Sequence, residues 1–148
     1  MKKCLLFTLF LSLLVVPLLP RSGFSRSPED SLKEQLLAIA QLAEKNGYEL
    51  SADLTHVDAM GNDAKESYSV SLNADTEYKI VGVCDDDCDD LDLVLYDEKE
   101  NLISRDNSTD SAPIVEVTPK WTGKFTLVAH MASCKDAPCG YAFTILRK

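Results

Sequence analysis

Histidine, tryptophan and basic charge are all scarce in this chain. Two histidines, His56 and His130, and one tryptophan occur among 148 residues, and 15 lysines and arginines face 24 aspartates and glutamates, for a formal net charge of −9. Acid–base chemistry built on imidazole must therefore use one of two side chains. His130 alternates with Ala129 and Met131, on the side of Thr126 and Val128, which predicts an exposed or edge position; His56 stands in a weakly patterned stretch near Asp58. Neither a Gly-x-Ser-x-Gly elbow nor a phosphate-binding loop is present. Paired carboxylates for glycoside hydrolysis need a cleft with carboxyls ~5–9.5 Å apart, which a small compact domain rarely provides. The acidic balance repels nucleic acid and anionic membrane surfaces. No enzyme is expected.

Long apolar runs are also missing, with one exception at the start. Met-Lys-Lys is followed by an apolar span from Cys4 to Leu19, and Gly23 and Ser25 occupy −3 and −1 of a cut after Ser25. This is the pattern of a secretory signal peptide over residues 1–25. The span is shorter than the ~20 residues that cross a bilayer, and Pro17 and Pro20 interrupt its end. The remaining residues suffice for one core and have no membrane span. Removal of Lys2, Lys3 and Arg21 leaves a mature net charge of about −12. The expected location is extracytoplasmic, in the periplasm or secreted.

Four cysteines remain: Cys84, Cys88, Cys134 and Cys139. An even number in an exported chain predicts two disulfides, and four cysteines allow three pairings. A five-residue loop gains roughly 2 kcal/mol by chain entropy, against roughly 4 kcal/mol for a crossed pair closing about 50 residues. The short spacings nonetheless favour Cys84–Cys88 and Cys134–Cys139, each at the mouth of one connection. Acidic residues between the cysteines and an oxidising compartment argue against structural zinc.

Residues 26–47 read as an amphipathic helix. Ser27 caps it, Pro28 suits the first position, Leu32, Leu36, Ile39 and Ala43 share a face, and Asn46-Gly47 supplies the stop. Residues 48–66 are a linker or first strand, with a loop expected from Ala59 to Glu66. From Ser67 onward the apolar period is two. Strands are expected at 67–72, 78–84, 91–96, 101–105, 113–118, 123–132 and 140–147, with polar turns between them. The expectation is a mainly β protein: an antiparallel, jelly-roll-like β-sandwich of about seven to eight strands over residues 67–148, preceded by one α-helix. Val70, Leu72, Ile80, Val83, Leu91, Leu93, Leu95, Ile114, Val117, Phe125, Leu127, Phe143 and Ile145 are its expected core.

Six aspartates fall between Asp85 and Asp92. Calcium takes 6–8 oxygens and is one way to neutralise such crowding. Asp85, Asp87, Asp89, Asp90 and Asp92 are candidate ligands, joined by Asp106 and Asp110 should the two loops converge. This is no EF-hand, because Asp90 stands where glycine is required and Tyr96 where glutamate is. The competing reading makes Asp90 and Asp92 structural acceptors at the strand start. Trp121 and Tyr141 are candidate exposed aromatics for a sugar or protein ligand.

The ordered set Tyr78-Lys-Ile-Val-Gly-Val, the Asp-Leu-Asp-Leu-Val-Leu-Tyr-Asp run ending at Asp97, Ala112-Pro-Ile-Val-Glu-Val-Thr-Pro119 and Thr122-Gly-Lys-Phe-Thr126 resembles bacterial pre-peptidase C-terminal domains. The resemblance covers about residues 67–146. It implies a secreted β-sandwich in a family that includes collagen- and polysaccharide-binding modules, some of which bind calcium. This chain departs in its cysteine pairs, its leading helix and the lack of a peptidase domain, so no ligand-contact residue carries over. The functional expectation is an exported, non-catalytic binding module for a protein or polysaccharide, with calcium as its only cofactor. The alternatives are a subunit or inhibitor docking on another exported protein through its helix, and, behind it, a small hydrolase using His56 or His130 with nearby acids.

Overall fold

The computed structural model describes residues 27–50 and 54–148; the expected leader lies outside them. One helix, α1 (Pro28–Lys45), precedes nine strands: β1 (Glu49–Leu50), β2 (His56–Met60), β3 (Lys65–Leu72), β4 (Tyr78–Cys84), β5 (Cys88–Tyr96), β6 (Leu102–Asp106), β7 (Ile114–Val117), β8 (Gly123–Cys134) and β9 (Cys139–Arg147). The helix starts and stops where its capping residues dictate. Ser27 Oγ accepts a hydrogen bond from the Asp30 amide at 3.1 Å, Glu29 and Asp30 lie at the positive pole, and Gly47 takes φ +75° beyond the cap.

The strands nest. Antiparallel pairs β5–β6, β4–β7, β3–β8 and β2–β9 enclose one another, so these eight strands are one long ribbon doubled back at the β5–β6 turn. Rolling that ribbon brings β8 beside β5 and β9 beside β4. The result is two antiparallel sheets, β3-β8-β5-β6 and β1/β2-β9-β4-β7, in the jelly-roll arrangement of a β-sandwich. Strands β1 and β2 both pair with β9, so residues 49–50 and 56–60 belong to a sheet. The loop expected from Ala59 shrinks to residues 61–64, since Ala59 and Met60 pair with Gly140 and Cys139.

The core lies between the sheets. Leu91, Leu93 and Leu95 of β5 are fully buried, with Leu72, Ile80, Leu127 and Met131 around them. Ile114, expected inside, is 47 % exposed, and Val115 takes the buried place. The register explains the exchange. Val115 stands opposite Ile80, and directly paired residues share a sheet face, so Ile114 falls outside with Val81.

Strand β9 is buried at every position from Cys139 to Leu146. Tyr141, Phe143 and Ile145 face the core, while α1 lies over the other face, where Leu32 packs with Ala142 and Val83. The approach is close at Gly140: a Cβ there would meet Asp85 Oδ2 at 3.0 Å and Leu32 Cδ1 at 3.2 Å. The molecule thus has three layers, helix on sheet on sheet.

Both disulfides, Cys84–Cys88 and Cys134–Cys139, are local in sequence, as the spacing favours. They do more than close turns. Cys84 ends β4 and Cys88 begins β5; Cys134 ends β8 and Cys139 begins β9; each bond therefore ties one sheet to the other. Cys88 stands opposite Cys134, which puts both ties at the same end of the sandwich. The double variant Cys84→Ser/Cys88→Ser is expected to lose roughly 2 kcal/mol in urea unfolding while keeping its β spectrum. An unchanged midpoint would show that the tie contributes nothing.

Candidate functional site

Three regions concentrate the chemistry-bearing residues. The first is the acidic corner at the disulfide end. Its carboxylates are directed at separate partners. Asp85, buried, accepts the Gly140 amide at 2.5 Å and the Asp87 amide at 3.3 Å. Asp87 gives its backbone carbonyl to the Lys135 amide at 2.8 Å. Asp89 pairs with Lys135 at 2.5 Å, and Asp92 with His130 Nδ1 at 2.9 Å. Asp106 accepts the Ser108 and Ile114 amides, which holds its carboxyl below the usual range, and Asp110 accepts the Ala112 amide.

The two loops do meet, where the Leu91 amide donates to the Asp110 carbonyl at 3.0 Å. The seven expected calcium ligands still do not surround one point. Among the described residues, no group of three or more His, Cys, Asp or Glu side chains is arranged to hold a metal ion. Most of these carboxylates have protein partners of their own. Asp90 is the exception, since its Oδ1 is buried without a hydrogen-bond partner. Burial, then the neighbouring Asp92 charge, raises its carboxyl above the ordinary value.

The second region is a polar plug between the sheets. Tyr141, expected as an exposed binding aromatic, is fully buried, because it lies on the inward face of β9. Its hydroxyl and that of Tyr68 touch, and both donate to Glu66 Oε2, at 2.7 and 2.6 Å. Burial, reinforced by Glu66, pushes the Tyr68 phenol up to about 12; burial first and then Tyr68 push Tyr141 up as well. His56 stacks on Phe143 and tilts against Tyr68, with centroids 5.4 and 4.4 Å away. Its Nε2 lies 3.5 Å from Asp58 Oδ2.

His130 lies on the outer face of β8, but it is neither exposed nor at an edge: β8 is flanked by β3 and β5, the side chain is 18 % exposed, and both ring nitrogens are engaged. Nε2 contacts Asp63 at 2.9 Å and Nδ1 contacts Asp92, which lowers the Asp63 carboxyl. His56 differs: its side chain is about a third exposed, and its Nε2 is buried without a hydrogen-bond partner. Sequence reasoning missed the Glu66–Tyr68–Tyr141 group altogether. The signal was available in the β3 pattern, where Glu66 and Tyr68 share the phase of Val70 and Leu72.

The third region is apolar. Between α1 and the outer face of β4 and β7 runs a groove of about 740 Å³, lined by Ile39, Leu42, Val81, Ile114 and Leu146. Leu42 is 63 % exposed, although it belongs to the helix stripe that faces the sheet. Trp121 keeps 43 % exposure while stacking on Phe125 at the far side of the molecule. No family model and no curated protein matches this chain.

Two outcomes follow from the acidic corner. Asp90→Asn is expected to raise the melting temperature at pH 7, because it removes a half-buried charge, one of whose oxygens has no hydrogen-bond partner, beside Asp92 and Asp110. A carboxyl whose folded pKa is raised costs stability above that pKa, so the gain closes as pH falls toward 3. In the wild type, Asp63, Asp97 and Asp106 have lowered carboxyls. Their contribution is present above the unfolded value of about 3.9 and is lost as pH falls through their folded values. Equal melting at pH 7 for both proteins would refute the Asp90 assignment. Separately, millimolar calcium and EDTA are expected to leave the melting temperature unchanged; a calcium-dependent rise reversed by EDTA would mean that these carboxylates do converge on a metal.

Proposed function

We propose that this protein is an exported, non-catalytic binding module that docks on another exported protein through the face built by α1, β4 and β7. The observation that carries the reading is the apolar groove beside the helix. Its lining contains no acidic residue in a chain with 24 of them, and Leu42 and Ile114 are left half-exposed at its rim. A mostly apolar concavity with a few polar groups is the kind of surface that takes a ligand or a partner's side chains.

The rest of the molecule supports a scaffold. His130 has both ring nitrogens engaged by aspartates, and the two formed disulfides fit an oxidising, extracytoplasmic setting. Among the described residues no helix is long and apolar enough to cross a membrane. The resemblance to pre-peptidase C-terminal domains supports the same class, a secreted sandwich that binds rather than reacts. The helix face favours a protein over a polysaccharide, since sugar sites rest on exposed aromatics and the groove's one aromatic, Tyr48, is tied to Glu77.

Leu42→Glu tests the reading, because it places a charge on the groove without touching the buried Leu32 and Ala43. The variant is expected to melt within about 2 °C of the wild type, as surface changes do, yet to lose at least tenfold in affinity for the partner recovered with the wild-type chain. Undiminished binding would remove the groove from the function.

A further inference from the structure

A second concavity, of about 560 Å³, opens beside the Cys84–Cys88 disulfide. Cys84 and Cys88 themselves form part of its wall, with Ser111 and Gln35; the charged residues of the lining are Glu34, Asp85 and Asp86, all acidic. The nearest lysine on the neighbouring loop, Lys135, is paired with Asp89, and Lys33 on the helix is paired with Glu29. By exposure alone the two disulfides are alike, Cys84 and Cys88 at 3 % and 6 % against Cys134 and Cys139 at 9 % and 0 %; it is the concavity that distinguishes the first.

We infer that this concavity is a thiol-exchange site that admits neutral and cationic thiols to the Cys84–Cys88 bond and repels anionic ones. The acidic loop then has a chemical role: it guards the tie between the sheets against anionic reductants. The step is ordinary exchange. A thiolate attacks one sulfur of the pair, the S–S bond breaks, and the other cysteine leaves as a thiolate that takes up a proton. A second thiolate attacks the mixed disulfide, releasing the small disulfide and the second cysteine. Two thiols are oxidised and one protein disulfide is reduced. Carboxylates beside the bond repel a negatively charged attacker and disfavour the departing thiolate.

The test compares reduction of the full folded chain by cysteamine, 2-mercaptoethanol and 2-mercaptoethanesulfonate, with rates expressed per thiolate. Two carboxylates about 8 Å from the thiol's remote charge should separate the cationic from the anionic reagent by about tenfold at 10 mM ionic strength, and by about twofold at 1 M. Mass mapping should find Cys84 and Cys88 labelled before Cys134 and Cys139. Asp86→Asn should narrow the ratio between reagents without altering the fold. Equal rates for the three thiols, a ratio unmoved by Asp86→Asn, or a rate independent of thiol concentration (the sign that the chain must unfold first) would each overturn the inference.

Discussion

The structure depends on two covalent ties that cross from one sheet to the other at a single end of the sandwich. Each disulfide joins the last residue of one strand to the first residue of the next, and in both cases those strands belong to different sheets. A rolled ribbon is held elsewhere only by core packing and by turns, and its open end is where the sheets separate most readily. Here that end is closed twice. The loops between the cysteines are then laced together: the Asp85 amide donates to the Gly140 carbonyl, and the Lys135 amide to that of Asp87. A negative, crowded loop is tolerable in this position because its backbone is fixed by covalent bonds and by the facing loop, and does not rely on its side chains attracting one another.

The same corner sets the helix. Gly140 lets Leu32 and Asp85 approach β9 from one side, and Gln35 donates to the Cys84 carbonyl at 2.9 Å. The first half of α1 is therefore anchored at the disulfide end. Its second half is held at Ala43, while Leu42 remains over the groove. Anchorage at the disulfide end thus leaves the later part of the helix face exposed beside the groove. The edge of that sheet is blunted, since β7 is short and its first amide is taken by Asp106, which disfavours strand addition there.

Much of the fold was legible. Helix ends followed from Ser27, Pro28 and Gly47, and the strand at 78–84 coincides with β4, because capping and period-two patterning are local properties. What failed was decided at long range. Ile114 and Val115 are both apolar, and only the partner strand selects which one faces inward. Strand β9 loses its alternation because a helix some hundred residues earlier covers its outer face, and that cover also lies behind the burial of Thr144. Tyr141 and the Glu66 pair escaped notice because their meeting joins β3 to β9 across the interior. In the acidic loop, the partners that strand β8, the turn after it and the backbone amides supply to the carboxylates were likewise out of reach of composition.

The most direct measurement is the disulfide connectivity of the unreduced chain, cleaved between the cysteines of each pair and read by mass spectrometry. The account requires Cys84 linked to Cys88 and Cys134 linked to Cys139, with no other bridge. A bridge between Cys88 and Cys134, which would bind two strands of one sheet, or between Cys84 and Cys139, would leave the sheets untied at that end and contradict it.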